Sequence, residues 1–213
     1  MHYTSENYLK KVRNHSEPYL AEIMDKEIII FPDVMSPKYD RSPQMIVSMM
    51  PNQNGKDVLE IGSGTGILSL FSMFQGAKNV TAVDINPIAV ENTKENFNKY
   101  NLINNIKVLH SDLFSKVQGV FDTIIFNAPF HGHKAKDILE LGTYDNNYET
   151  LTRFFSQASH FLKDKGEILL GFANTGNNDL VKSLIDKNNY FIKNFQTYEN
   201  GDWTMYLYTI SIK

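Results

Sequence analysis

The stretch Val58-Leu59-Glu60-Ile61-Gly62-Ser63-Gly64-Thr65-Gly66 decides how the rest of the chain is read. A short apolar run carrying one acid passes into three glycines at alternate positions, and Ile67–Phe74 after them has a helical pattern. Glycines at such a turn let the backbone fold tightly and approach a ligand, while the helix N-terminus offers free N–H groups. In open α/β sheets this corner, at the C-terminal end of the first strand, is where ligands bind. The spacing is not the dinucleotide G-x-G-x-x-G, because Gly66 comes one residue early and Ile67 holds the expected glycine site. Glu60 also puts a carboxylate beside the loop, which opposes a pyrophosphate and suits a cationic ligand.

Outward from this corner the chain alternates. Asp57–Ile61, Asn79–Asp84, Ile106–His110 and Phe121–Phe126 read as strands, as do Glu167–Phe172, Phe191–Thr197 and Trp203–Ile212. Helices are predicted over Ile67–Phe74, Pro87–Tyr100, Tyr148–Leu162 and Asp179–Lys187, the second with proline in its first turn. Seven strands with interleaved helices predict a Rossmann-like, doubly wound α/β sheet. The link Gly201-Asp202 is too short for a parallel crossover. The sheet is therefore expected to be mostly parallel, with one antiparallel strand near its C-terminal end. Before the alternation, Tyr3–Val12 reads as a helix, Glu27–Phe31 as a strand, and Gln44–Met50 as a helix after a loop from Pro32 to Pro43. Residues 1–50 are read as an N-terminal extension covering the site of a domain over 51–213, since about 50 residues bury little core alone.

Composition narrows the class. The 213 residues are 42% hydrophobic and 21% charged, with a formal net charge of −3, the balance of a globular protein. No run approaches the roughly 20 apolar residues of a membrane helix, and Met1–Leu20 lacks the apolar core of a signal peptide. With no cysteine there is no disulfide framework, thiol nucleophile or Cys-ligated zinc. A cytoplasmic protein is expected, with no membrane partner. The negative balance disfavours a basic nucleic-acid binder.

Two more acids fall at strand ends. Asp84 ends the second strand, where a carboxylate accepts from both hydroxyls of a ribose. Asp112 follows the third strand and is placed to accept from an adenine amino group. Glu60-Ile61-Gly62-Ser63-Gly64-Thr65-Gly66, with Asp84-Ile85-Asn86-Pro87 and Ser111-Asp112, resembles a class I S-adenosylmethionine-dependent methyltransferase over about residues 30 to 213. The resemblance implies S-adenosylmethionine as cofactor, Gly62, Gly64 and Gly66 shaping its loop, and Glu60 facing the methionine part. It further implies Asp84 on the ribose, Ile85 flanking the adenine, and Asp112 with Leu113 on the adenine side.

The fourth strand leads into Asn127-Ala128-Pro129-Phe130-His131. An amide at a strand end, a stiff turn and an aromatic ring suit the capture of a planar NH₂ group. Asn127 and the Ala128 carbonyl can accept its two N–H bonds, and Phe130 offers a face for stacking. The segment resembles the Asn-Pro-Pro-aromatic motif of methyltransferases acting on amide or exocyclic amino nitrogens, among them the release-factor glutamine, ribosomal guanine and tRNA adenine enzymes. Ala128 stands where the first proline is usual. The resemblance implies Asn127, Pro129, Phe130 and His131 as the catalytic set, with Asn127 also touching the cofactor. His131 and His133 are a weak metal signal, and no metal is expected. The loop Phe31–Pro37 resembles the segment that covers the cofactor in this group, while Trp203 and Tyr206–Tyr208 read as sheet packing. The expected function is methyl transfer to a planar amide or amino nitrogen, on a protein glutamine or a small metabolite. A tRNA or rRNA base is the alternative acceptor, and an NAD-dependent oxidoreductase or a non-catalytic nucleotide-binding module are the alternatives of another class.

Overall fold

The computed structural model describes residues 5–201 and 203–213. Its elements are α1 (Ser5–Arg13), β1 (Tyr19–Ile23), β2 (Lys26–Ile30), α2 (Ser42–Met49), β3 (Asp57–Ile61), α3 (Ile67–Phe74), β4 (Asn79–Asp84), α4 (Pro87–Lys99) and β5 (Ile106–His110). They continue with β6 (Phe121–Asn127), α5 (Glu149–Ala158), β7 (Leu162–Ala173), α6 (Asn178–Lys187), β8 (Tyr190–Asn200) and β9 (Trp203–Ile212). The first helix is expected from Tyr3; Tyr3 and Thr4 lie outside the described residues, as does Asp202 of the final turn.

Seven strands form one sheet in the order β5-β4-β3-β6-β7-β9-β8. All neighbours are parallel except β9, which runs antiparallel to both β7 and β8. This is the expected doubly wound sheet with its one reversed strand. The chain moves outward from β3 to β5 and then returns to place β6 on the other side of β3, so the strand order reverses at β3/β6 and opens a crevice at their C-terminal ends.

Strand side chains alternate between faces, and the core divides accordingly. Leu59, Ile61, Ile124, Phe126, Ile168 and Leu170 pack with α5 and α6. Val58, Ile125 and Leu169 face the opposite way, onto α2, α3 and Phe97 of α4. In α5, Leu151, Phe154, Phe155 and Ala158 repeat at helical spacing and are all at most 1% exposed. The predicted helix Tyr148–Leu162 ends earlier than expected, at a 3₁₀ turn over Ser159–Phe161. Leu162 already pairs with Phe121, residues 163–166 bulge out, and Glu167 resumes opposite Thr123.

The N-terminal segment holds a strand the sequence did not disclose. β1 pairs antiparallel with β2 through a two-residue turn, Met24-Asp25, with both residues at positive φ (51° and 61°). Such hairpin turns are signalled by Asn-Gly or Asp-Gly, and Met-Asp gives no such cue. The hairpin joins the core of the main sheet through Ala21, Ile23, Ile28 and Ile30. Its open edge is closed by side chains of α4. Asn96 Oδ1 accepts from the Ile29 N–H (2.8 Å) and Asn92 Oδ1 from the Phe31 N–H (2.9 Å). Both amides donate back to the Ile29 carbonyl at 2.8 Å. A second small cluster joins Tyr8, Leu9 and Val12 of α1 to Leu139 in the long excursion after β6. Arg13 fixes the same contact by pairing with Asp137 (2.8 Å) and Glu140 (3.0 Å). Among the described residues no helix is long and apolar enough to cross a membrane.

Candidate active site

The crevice at the strand ends is a cavity of about 370 Å³, within the usual range for a ligand site. It brings together Glu60, Gly62, Gly64, Asp84, Ile85, Asp112, Leu113, Asn127 and Pro129 of the residues singled out by sequence. Gly66 stands behind it as the residue before α3, at φ +77°, where a Cβ would lie 2.8 Å from Thr93 Cγ2. Its freedom serves the turn and the packing on α4. Gly64, by contrast, has φ +54°, and a Cβ added there would meet nothing within 4 Å, so the space over the loop is open to a ligand.

The acids differ in how they are held. Strand alternation turns Glu60 away from Leu59 and Ile61 toward α3, where one carboxylate oxygen accepts from the Ser69 N–H (3.0 Å) and from the Ser69 hydroxyl. Burial pushes its carboxyl up to about 8, against the Ser69 hydrogen bonds, and nearby Asp84 adds to the rise. A buried carboxyl of this kind gains from a positive charge placed beside it. Asp84 accepts from the N–H groups of Gly64 and Asn86, both at 2.8 Å, one on each oxygen. Burial raises its carboxyl above the ordinary value, and these backbone hydrogen bonds pull it back. Asp112 is more exposed and pairs with Arg153 of α5 at 2.8 Å. Arg153 and Thr150, also in the lining, were not found by sequence because they lie on a helix some forty residues further on.

A second cavity of about 310 Å³ adjoins the first and shares Met35, Asp40, Asn127 and Gly142 with it. Phe130, His131 and Trp203 line this one. Trp203, expected as sheet packing, is 7% exposed within the core and also forms part of this wall. The Phe130 carbonyl accepts from the Tyr148 hydroxyl (3.1 Å), and His131 bridges to Tyr144, which fixes the turn. Burial lowers the His131 imidazole below its ordinary value, and His133 lowers it further, so the ring is neutral near pH 7. His133 is exposed. Among the described residues no group of three His, Cys, Asp or Glu side chains gathers as a metal site.

Asn127 stands between the two cavities. Its Nδ2 donates to Ser42 Oγ (2.9 Å), and its Oδ1 is buried with no hydrogen-bond partner among the described residues. The cross-strand neighbour is Gly171, where a Cβ would lie 3.1 Å from that oxygen. The Ala128 N–H is tied to the Gly171 carbonyl (3.2 Å). Val34, Met35, Ser36 and Asp40 reach the cavities, whereas Tyr39 is engaged with His15 (2.7 Å) and packs toward α1.

This donor set fits an adenosyl sulfonium ligand: acids at three strand ends, an open glycine loop, and one cation already paired with Asp112. The sequence profile of the methyltransferase small domain matches residues 27–194. Over 173 residues the chain is 35% identical to a Methanocaldococcus jannaschii protein that carries the provisional name protein N5-glutamine methyltransferase, covering 78% of this chain and 85% of that one. The fold is similar to the ribosomal protein L11 methylase of Lactobacillus delbrueckii, with a TM-score of 0.62, 21% identity, and coverage of 81% of this chain and 78% of that one. It is also similar to a 16S rRNA guanine N2 methyltransferase of T. thermophilus solved with S-adenosylmethionine and guanosine. There the TM-score is 0.66 at 21% identity, over 90% of this chain and half of the other.

Proposed function

We infer the acceptor from a premise the match makes plain: this chain belongs to the methyltransferase small domain family and is an S-adenosylmethionine-dependent methyltransferase. That premise sets aside the dinucleotide oxidoreductase reading. The acceptor we propose is a planar amide nitrogen, that of a protein glutamine side chain, ahead of a small metabolite or a nucleic-acid base. The observation that carries this reading is the unpartnered Asn127 Oδ1 in the wall between two cavities. A buried acceptor without a donor costs about 1–3 kcal/mol, and an incoming N–H group removes that cost. The 35% identity to a protein named for glutamine methylation supports the same choice.

In this account Glu60, Gly62, Gly64 and Asp84 hold the cofactor, with Ile85, Asp112 and Leu113 around its adenine. S-adenosylmethionine supplies, when bound, a methyl group on a cationic sulfur. The chain's own work is orientation. Asn127 Oδ1 and the Ala128 carbonyl accept the two N–H bonds of the acceptor, and Phe130 packs on its plane. The nitrogen lone pair is then the one direction left free. No strong base is required, because the proton leaves after transfer; in this reading His131, in the wall of the second cavity, receives it. The N-terminal segment covers the site, with Met35 and Asp40 in both cavity walls. A cysteine-free chain of this kind fits a cytoplasmic enzyme.

The test is incubation with methyl-labelled S-adenosylmethionine and three acceptors in parallel: glutamine-containing peptides, mixed small metabolites, and rRNA with tRNA. The reading expects label in the peptide that acid hydrolysis releases as methylamine, the signature of an N-methylated glutamine. Label confined to RNA, or to a metabolite, would overturn it.

A further inference from the structure

The Asn127 amide is useful to an N–H donor only if it presents oxygen and not nitrogen, and amide ends are equal in shape. Something must fix which end faces the acceptor. The fixed end is Nδ2, and what holds it is a short chain of hydrogen bonds from the covering loop. Asp40 Oδ1 accepts from the Ser42 N–H (2.9 Å), and Asp40 Oδ2 accepts from the Ser42 hydroxyl (2.8 Å). With its one proton given to Asp40, Ser42 Oγ has only lone pairs left to offer. It therefore accepts from Asn127 Nδ2 at 2.9 Å, across 85 residues of sequence. Ser42 is fully buried at the start of α2, so water does not compete for that hydroxyl.

We propose that Asp40 and Ser42 are positioning residues that set the polarity of the Asn127 amide, and so select an acceptor that brings N–H donors. The proposal deepens the glutamine reading and rests on it for its kinetic arm. Torsion about the terminal bond of an asparagine is broad. Oδ1 is buried beside Gly171 in the ligand-free protein, so presenting it to an acceptor takes a turn about that bond with Nδ2 kept on Ser42. Asp40 also lines both cavities.

The isosteric change Asp40→Asn isolates the effect. The oxygen of the introduced amide can still accept from the Ser42 N–H, which leaves its NH₂ group facing Ser42 Oγ. The Ser42 proton then has no acceptor at position 40 and points at Asn127. The Asn127 amide is expected to invert, with oxygen to Ser42 and nitrogen to the acceptor. The direct readout is the side-chain amide of Asn127 by NMR in the ligand-free protein. Contacts between its NH₂ protons and the β-protons of residue 42 should be present in the wild type and in Ser42→Thr, and lost in Asp40→Asn. Unchanged contacts in Asp40→Asn overturn the proposal whatever the acceptor proves to be.

The kinetic arm uses a glutamine-containing peptide. Asp40→Asn and Ser42→Ala should lower kcat about 50-fold or more, with S-adenosylmethionine affinity within about twofold of wild type. Ser42→Thr, which keeps the hydroxyl, should recover most of the rate. Asn127→Asp alone sets a carboxylate against the lone pairs of Ser42 and should be inactive. Combined with Asp40→Asn it can accept the freed Ser42 proton while its second oxygen serves the acceptor. The double variant should run at least fivefold faster than Asn127→Asp. A double variant no faster than Asn127→Asp contradicts the proposal. If the wild type itself transfers no methyl to any glutamine peptide, the acceptor reading fails while the amide measurement still decides the polarity.

Discussion

The two halves of the site are built differently. In the cofactor half Glu60 and Asp84 are held within the single β3–α3–β4 corner and the turn after it: Glu60 by Ser69, and Asp84 by Gly64 and Asn86. In the acceptor half Asn127 is held by Ser42 across 85 residues, and Met35 and Trp203, from distant parts of the chain, stand in the wall. The first half is one βαβ corner and is set as soon as that corner folds. The second exists only once the N-terminal loop, the end of β6 and the start of β9 have met. Binding a cofactor and orienting an acceptor should therefore be separable by mutation.

The largest expected effect breaks the first half alone. Asp84→Ala removes the charge-assisted acceptors of Gly64 in the glycine loop and of Asn86 at the start of α4, and with them the proposed ribose contacts. Hydrogen bonds to charged groups contribute about 1.5–3 kcal/mol each, so S-adenosylmethionine affinity should fall roughly 100-fold or more by calorimetry. A loss under fivefold would mean that Asp84 serves only the loop. Next in size is the seam that brings the N-terminal hairpin to the sheet. Asn96→Ala deprives the Ile29 N–H and the carbonyls of Ile29 and Thr65 of a partner, and about 3 kcal/mol of stability should be lost in denaturant unfolding. An unchanged midpoint would show that apolar packing alone seats the hairpin.

Glycine substitutions sharpen the comparison within the corner itself. Gly66→Ala meets both a positive φ and Thr93, and should cost about 3 kcal/mol of stability. Gly64→Ala meets only the backbone cost, about 1 kcal/mol, and should act mainly on cofactor affinity. Equal melting curves for the two would remove the distinction between a packing glycine and a ligand-facing one.

Glu60 gives the effect that depends on pH. Its carboxyl is raised by burial to about 8 from an ordinary 4.5. The folded protein thus holds this proton more tightly than the unfolded chain. The stability it lends is complete below about pH 4.5 and is lost as pH rises toward 8. A cationic ligand favours the ionised form, so S-adenosylmethionine affinity should climb by as much as tenfold per pH unit up to about 8 and then level off. Glu60→Gln should flatten that slope. An equal slope in the variant would assign it to another group.

The contrast between the halves also explains what the sequence disclosed. The strands Asp57–Ile61, Asn79–Asp84 and Ile106–His110 and the glycine corner are readable to the residue, because local periodicity and turn chemistry carry them. Asn127 and Phe130 are readable as a motif. Asp40 and Ser42 are not, because Asp40 reads as an ordinary acid before a helix and its link to Asn127 spans 85 residues of chain from Ser42 onward. Trp203 reads as packing because burial in a sheet and exposure to a cavity share one pattern. β1 is hidden by the Met24-Asp25 turn, and the Asn92/Asn96 pair by the fact that buried asparagines four apart look like any polar helix face. The strand expected at Glu167 begins early because a bulge lets Leu162 rejoin the sheet before it.

The separation of the halves is tested most directly by Asn127→Ala, measured for S-adenosylmethionine affinity and for single-turnover methyl transfer in the same preparation. The account predicts affinity within about twofold of wild type and transfer slower by about 100-fold or more. Transfer at the wild-type rate, or a loss of affinity that matches the loss of rate, would contradict it.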